Sequence, residues 1–445
     1  MRVTKSWNRW IAIAAAMILA APAMAQLEVT VTSGVQRPIP AAIVPFGWQG
    51  PGSVAPFDVA ALVQQDLGNS GYFAPMDRRD MVSRPTQSSE LNFQDWRIVD
   101  VDVVVIGRLL QQGPDRYTIE FQLFDVTRGE QLTGFRSPVA AEDELRSMSH
   151  RVADLIYEEM TGIKGVFDTK IAYITEQRPS SGERKFSLIV ADADGEHART
   201  MVESAQPLMS PAWSPDGRRI AYVSFEGNQS AIYVQTVRTG TRERVSSRAG
   251  INGAPAFSPD GRRLALTLSL DDGNLDIYTL DLSNQVLRRI TTNSAIDTEP
   301  AWSADGESLY FTSDRAGSPQ IYRVEAVPGS RAQRVTFEGT YNTRARVSPD
   351  GKQLALVHRD RTQGQQSADR IAVLDPENGY LNVLSNGQLD ESPSFAPNGA
   401  MIIYATRDRG QGVLAAVSSD GRVHQRIASV GGDVREPVWG PFALP

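Results

Sequence analysis

Over most of the chain, short runs of alternating apolar and polar residues recur with the period-two pattern of strands that bury one face in a sheet. From Pro211 onward these runs return in a fixed order, each set opening on Pro-x-aromatic-Ser-Pro-Asp-Gly-x-x-apolar. The pattern reads PAWSPDGRRI from Pro211, PAFSPDGRRL from Pro255, PAWSADGESL from Pro300, ARVSPDGKQL from Ala345, PSFAPNGAMI from Pro393 and PVWGPF from Pro437. Successive starts lie 44, 45, 45, 48 and 44 residues apart. A repeat of that size, built from strand-like runs, predicts the blades of a β-propeller, each a small sheet that cannot bury both faces alone. Within a unit the aromatic (Trp213, Phe257, Trp302, Phe395, Trp439) ends the first strand. Proline presets φ for the turn that follows, and glycine supplies the left-handed residue that closes it. Ala304 and Asn398 are mild departures that keep this turn chemistry.

Second, third and fourth strands follow each turn, for example from Ile220, Ile232 and Arg242. One further meander, with strands from Ile171, Phe186 and Ala198, has no first strand of its own, whereas the sequence from Pro437 supplies a first strand with nothing after it. Joining the two predicts a six-bladed all-β propeller over residues 166–445, closed by pairing of the C-terminal strand with the first blade.

Residues 26–165 carry no trace of the repeat and read as a separate α/β domain. Strands are expected at residues 27–32, 41–46, 101–110 and 117–126. Asp58 is placed to cap a helix that Gly68 and Gly71 end, and a second helix is expected over residues 142–160 with Gly162 as its stop. Leu145, Met148, Val152, Leu155, Ile156 and Met160 fall at helical spacing and read as the stripe that covers the sheet. The segment from Leu27 to Ser33 stands at the expected mature terminus, where a strand is easily docked or released. It reads as a partner-binding arm.

Composition narrows the address. Arg2, Lys5 and Arg9, an apolar run at residues 11–21 and Ala23-Met24-Ala25 before Gln26 make a secretory signal cleaved near Ala25/Gln26. The run is shorter than the ~20 residues a spanning helix needs, and no other stretch is long and apolar enough. The chain has 0 Cys, which removes lipoprotein anchoring, disulfides and thiol chemistry. A soluble periplasmic protein is expected, not one embedded in a membrane. Net charge is +3 in the signal, −7 over residues 26–165 and −3 beyond, making the chain's −7. An acidic N-terminal domain disfavours nucleic acid and suits a basic protein partner, although solubility alone accounts for the same surplus.

Catalytic constellations are poorly represented. Of the four histidines, His150 falls on the expected helix, and His197, His358 and His424 fall at different points of their blades. Their spacing matches neither a metal cluster nor a nucleophile-base pair, and no cofactor is expected. Asp192-Ala193-Asp194-Gly195 resembles part of a calcium loop but lacks the terminal Glu, and its place between strands reads as a hairpin turn.

Function is therefore sought on a surface. The stretches just before each Pro-x-aromatic are expected to open around one mouth of the central channel: Met209-Ser210, Asn252-Gly253-Ala254, Asp297-Thr298-Glu299, Asn342-Thr343, Asp390-Glu391-Ser392 and Arg435-Glu436. Glu299, Glu391 and Glu436 read as occupying matching positions in a polar ring, which either binds a partner or pins neighbouring blades. Arg346 replaces the small residue of the other units (Ala212, Ala256, Ala301, Ser394, Val438) and reads as an inter-blade salt bridge or a ligand contact. An alternative role is a propeller hydrolase or lyase using the three glutamates for acid-base work.

The chain resembles the TolB family, periplasmic components of the bacterial Tol-Pal system, over its whole length. The residues that carry the resemblance are RPIPAAIVPFGWQGPG from Arg37, TGIKGVF from Thr161, PLMSPAWSPDG from Pro207, NGAPAFSPDG from Asn252 and DTEPAWSADG from Asp297. The resemblance implies a non-catalytic protein whose propeller mouth binds the peptidoglycan-associated lipoprotein Pal and whose mature N-terminal strand binds the inner-membrane protein TolA, in support of outer-membrane integrity and its invagination at division. Carried over by position, it implies Pal contacts at Met209, Ser210, Asn252, Gly253, Ala254, Thr298 and Glu299. The same mouth adds Asn342, Thr343, Glu391, Ser392 and Glu436. The arm comprises Glu28, Val29, Thr30, Val31, Thr32 and Ser33. One departure stands out: the family has His before Asn-Gly-Ala-Pro, where this chain has Ile251, so no histidine contact or pH dependence carries over there.

Overall fold

The computed structural model describes residues 30–178, 182–270, 273–360, 368–427 and 431–443. The signal, the cleavage site and arm residues Glu28 and Val29 lie outside the described residues.

An α/β unit comes first. Its mixed sheet runs Phe73–Pro75, Ile39–Ile43, Val103–Gly113, Arg116–Asp125, Glu130–Arg136, and Gly47–Gln49 pairs the far end of Val103–Gly113. The first three strands are parallel, because a helix carries the chain back between Ile39–Ile43 and Phe73–Pro75. That helix, Val59–Asn69, starts where expected: Asp58 Oδ1 accepts the Ala61 amide at 2.9 Å. It runs through Gly68, contrary to expectation, and ends at Asn69, with Ser70 as C-cap and Gly71 in the left-handed region (φ +74°) just beyond. The second helix, Leu145–Thr161, follows a single 3-10 turn at Glu142–Glu144 and ends at Gly162 in the left-handed region. Its stripe is core as read: Leu145, Val152 and Ile156 are fully buried against Ile43, Val105 and Ile119, with Met148, Leu155 and Met160 at the margin. The short elements Gly47–Gln49, Phe73–Pro75, Phe93–Ile98 and Glu130–Arg136 were not anticipated. Phe93–Ile98 covers the other sheet face by burying Trp96 against Val104, Ile106 and Phe124.

Six antiparallel blade sheets follow, five of four strands and one with a fifth strand added at its edge, and five of the six take their four repeat strands in sequence order. Their first strands are Leu208–Trp213, Asn252–Phe257, Asp297–Trp302, Tyr341–Val347 and Glu391–Phe395, in blades one to five. Blade six combines Lys170–Gln177, Lys185–Asp192 and Arg199–Ser204 with the C-terminal strand Asp433–Trp439, which pairs Lys170–Gln177 in the register Val434↔Thr175 and Trp439↔Ile171. The predicted closure is therefore present. Each Ser-x-Asp-Gly turn is an internal hydrogen-bonded unit: Ser214 Oγ donates to Asp216 and accepts the Arg219 amide, and Ser258, Ser303 and Ser348 repeat this. The repeat also staples blades together. Trp302 Nε1 donates to Ala256 O of the preceding blade at 3.1 Å, while Arg263 stacks 4.5 Å from the Trp302 ring and donates to Gly306 O.

The arm is docked. Thr30–Ser33 pairs antiparallel with His424–Ile427 and makes blade five a five-stranded sheet. Beside it, Gln425 Nε2 donates to Asn69 O at 2.6 Å, tying the end of the Val59–Asn69 helix to the same outer strand.

A buried polar cluster joins the α/β unit to blade six. His150 Nδ1 lies 2.7 Å from Asp66 Oδ2, with both side chains 2% exposed, and His150 Nε2 lies 3.9 Å from Asp194 Oδ2. Arg146 bridges Asp192, at 3.0 Å, and Asp194, while Lys170 also pairs Asp192. The Asp192–Gly195 stretch is thus a hairpin turn, as expected, whose carboxylates face the other domain. Burial works against a charged His150 ring, but the Asp66 carboxylate outweighs it and raises the pKa. Nearby, burial lifts Asp154 to about 7 despite its bonds from the Phe167 and Asp168 amides.

A histidine whose folded pKa is raised above an unfolded value of about 6.5 stabilises fully below that value and loses the contribution as pH rises through the folded pKa. As pH rises above about 6.5, the melting temperature of the mature chain is therefore expected to fall more steeply than that of His150→Gln, by calorimetry. Equal slopes would remove His150 as the source.

Candidate functional site

The channel mouth is built from the innermost strand of every blade rather than from the loops expected there. In each blade the residue just before the repeat has a left-handed backbone: Ser210 (φ 51°), Ala254 (46°), Glu299 (55°), Arg344 (55°), Ser392 (56°) and Glu436 (49°). None is glycine. At each one the strand register slips against the second strand, so six β-bulges circle the channel. A bulge turns a side chain out of the alternating pattern and frees a backbone amide that then needs an acceptor.

Two glutamates supply acceptors across blade boundaries. Glu299 Oε2 accepts the Arg344 amide of the next blade at 3.1 Å and the Thr312 hydroxyl at 2.9 Å. Glu436 likewise accepts the Ser210 amide and so links blade six to blade one. Arg344 then spans the mouth: its Nε pairs Glu299 at 2.8 Å, its Nη2 lies 3.6 Å from Glu436, and its Nη1 donates to Ser392. Burial opposes the charge on Arg344, but Glu299, Glu436 and Glu391 outweigh burial and raise its pKa. The inter-blade salt bridge expected of Arg346 thus belongs to Arg344, two residues earlier. The repeat puts Arg346 in the channel wall instead, where it donates to Ala345 O. Nor do the three glutamates match in position. Glu299 and Glu436 share the left-handed site, whereas Glu391 is one residue earlier, in line with Met209, Gly253, Thr298 and Thr343.

Beneath the bulges lies a layer of fully buried polar side chains: Asn252, Asp297, Asn342 and Asp390. Asn252 Oδ1 accepts from Ser246 and the Arg248 amide while its Nδ2 donates to Arg248 O at 2.8 Å. Asp297 takes both Nη2 contacts of Arg315, at 2.7 and 2.8 Å. Asn342 joins Gln320 and His358, and Asp390 joins Ser385 and Thr406. Asn252 and Asn342 therefore shape the loops from within. Thr343 and Ser392 are buried too, whereas Met209 is exposed and Ser210, Gly253, Ala254, Thr298 and Glu391 are half-buried at the opening.

Just outside, sequence reasoning missed an apolar rim. Ile251, Ile296 and Leu389 each precede a buried Asn or Asp and are 50%, 47% and 38% exposed, and Phe337 stands 74% exposed on the adjoining connection. Their shared register one residue ahead of the buried polar layer was the available signal. Exposed apolar residues gathered on one face, beside polar groups, are a feature of surfaces that hold a protein.

Away from the mouth, Asp66, His150 and Asp194 come within 4.8 Å of one another and could offer metal ligands, although Arg146 already occupies Asp194. Residues so far apart in the chain gave no spacing signal.

The chain matches two family profiles, "TolB amino-terminal domain" over residues 27–132 and "TolB beta propeller domain" over residues 157–443. It is 48% identical over 439 residues to the Tol-Pal system protein TolB of Xanthomonas euvesicatoria pv. vesicatoria, covering 98% of both chains. The Xanthomonas campestris pv. campestris protein of that name is equally similar, at 48% over 98% of both. Among solved structures, TolB from Acinetobacter baumannii superposes with a TM-score of 0.84 at 40% identity, covering 94% of this chain and 100% of that one.

Two stability measurements follow from the mouth geometry. Ala254→Gly relieves a left-handed L-residue and is expected to stabilise by about 0.5–1 kcal/mol in urea unfolding. Arg344→Met, which leaves Glu299 and Glu436 facing one another, is expected to cost about 1–3 kcal/mol, below the range for fully buried pairs because Arg344 is partly exposed. No loss would show that the spanning arginine is not a structural tie.

Proposed function

The chain belongs to the TolB family of Tol-Pal system proteins, and from that premise we propose that it is a periplasmic binding component that holds Pal at the propeller mouth and TolA through its N-terminal arm. The observation that carries the first half is the mouth itself, six strained bulges inside a rim of exposed Ile251, Ile296, Leu389 and Phe337. Backbone strain that persists at one face of a protein points to use of that face. The contacts proposed are Met209, Ser210, Gly253, Ala254, Thr298, Glu299, Glu391 and Glu436, with Asn252, Asn342, Thr343 and Ser392 supporting them from below. Ile251 makes the rim at its own position apolar, so contact there is by packing and independent of pH.

The arm supports the second half. Four residues hold it to a sheet edge by backbone pairing, which is a small contact to give up. A strand that pairs with His424–Ile427 in one state is free for a partner in the other, and a ligand that favours one state shifts the balance. The signal sequence supports export to the periplasm.

A hydrolase or lyase at the mouth has less support. Glu299 and Glu436 are tied to backbone amides and to Arg344, which leaves Glu391 without a matched second carboxylate.

Binding of purified Pal to the mature chain by calorimetry tests the mouth. Ile251→Asp and Thr298→Ala, each confirmed folded, are expected to weaken Pal at least tenfold and about threefold respectively, and unchanged affinity in both would refute the site. Removal of residues 27–33 is expected to abolish TolA binding and spare Pal binding. Retained TolA binding would refute the arm.

A further inference from the structure

Below the mouth, the six first strands line an open cavity of about 360 Å³, whose lining starts just after the bulged residues. Its wall mixes the two kinds of surface about equally: Trp213, Phe257, Trp302 and Trp439 stand around it with the repeat prolines and alanines, and Ser303, Arg346, Ser348 and Ser394 add polar groups. Arg346 is the charged side chain in that lining. It stands where the other blades carry Ala212, Ala256, Ala301, Ser394 and Val438, and all of these line the same space.

Arg346 is chemically incomplete. Its described hydrogen bond is the one from Nη1 to Ala345 O at 3.0 Å, and among the described residues no carboxylate comes within ion-pair distance of it. The nearby glutamates are taken: Glu299 and Glu436 are committed to Arg344 and to bulge amides. Desolvation lowers the pKa of Arg346, helped by the like charge of Arg344, while Glu299 and Glu436 favour its charge from a distance. On the neighbouring blade, Ser394 Oγ accepts the Trp439 amide at 3.0 Å, and its own hydrogen has no acceptor among the described residues. The Arg346 guanidinium, with one nitrogen on Ala345 O, and the Ser394 hydroxyl thus line the same aromatic-edged space with no carboxylate paired to either among the described residues.

We propose that the channel cavity is a binding site for a small monocarboxylate, held by the Arg346 fork and the Ser394 hydroxyl with its apolar part against the tryptophans. A planar carboxylate matches the two parallel N–H groups of arginine. A single negative charge fits better than a phosphate dianion, because Glu299 and Glu436 stand just above. The aromatic wall selects an acid with an apolar body over a bare anion.

The experiment uses the whole mature chain, titrated with benzoate, acetate or inorganic phosphate at constant ionic strength, and read by intrinsic tryptophan fluorescence. Benzoate is expected to give a saturable change in the wild type, tighter than acetate and phosphate. Affinity is expected to fall at least tenfold in Arg346→Ala, which installs the residue its neighbours carry, and two- to fivefold in Ser394→Ala, with thermal melts confirming the fold of both. Should Arg346→Ala fail to fold, Arg346→Gln serves in its place with the same expected loss. Acetyl-glycyl-phenylalanine tests whether the acid arrives free or on a chain end, and its C-terminal amide is expected not to bind in either case. No saturable benzoate signal, equal affinity in the arginine variant, tighter binding of phosphate, or binding of the amide as tight as the acid would each overturn the proposal.

Discussion

A ring of sheets has to close, and here closure rests on one antiparallel pairing, Asp433–Trp439 against Lys170–Gln177. Without it two strands at opposite ends of the propeller sequence would present open edges. Several contacts converge on the seam. Trp439 Nε1 donates to Thr169 at 2.9 Å, the Gly440 amide donates to Lys170 O at 2.8 Å, and Trp213 Nε1 reaches Val438 O. Gly440 has no room for a side chain, since a Cβ there would sit 2.9 Å from Lys170 O. The closing strand also carries Glu436, whose carboxylate caps the Ser210 amide and balances Arg344. The same strand that seals the ring therefore completes the mouth.

That shared strand ties the closure of the ring to the geometry of the channel mouth. Six bulges need acceptors for their freed amides, and glutamates of neighbouring blades meet that need at two of them. Arg344 then neutralises the carboxylates so introduced. What is left facing outward is an apolar rim of blade connections, which the ring holds at fixed spacing. On the opposite side of the propeller wall, the His150 cluster fixes the α/β unit to blade six, and Gln425 fixes it to the strand that carries the arm. The arm thus docks where both domains meet, and the mouth lies on the same rigid ring.

The propeller was legible because its signals are local and repeated. The Ser-Pro-Asp-Gly turns need no distant partner, and the missing first strand of one blade matched the spare strand at the C-terminus. The long helices of the α/β unit were legible for the same reason, through Asp58, Gly162 and a 3.6-residue stripe. Short strands such as Phe73–Pro75 have too few residues to show a period, and they form because the sheet already exists beside them. At the mouth the set of residues was readable, but their roles were not. A left-handed φ at Glu299 or Arg344 carries no compositional mark when glycine is absent, so the repeat pattern singles out Arg346, which replaces a small residue, and not Arg344. His150, Asp66 and Asp194 meet only after both domains fold, and no sequence spacing announces them.

Hydrogen-deuterium exchange of the mature chain, alone and saturated with Pal, tests the central claim most directly. The account predicts slowed exchange in the segments around residues 207–210, 251–254, 296–299 and 389–392, clustered on one face of the ring. Protection confined to the outer strands of the blades or to the α/β unit, with these segments unchanged, would contradict it.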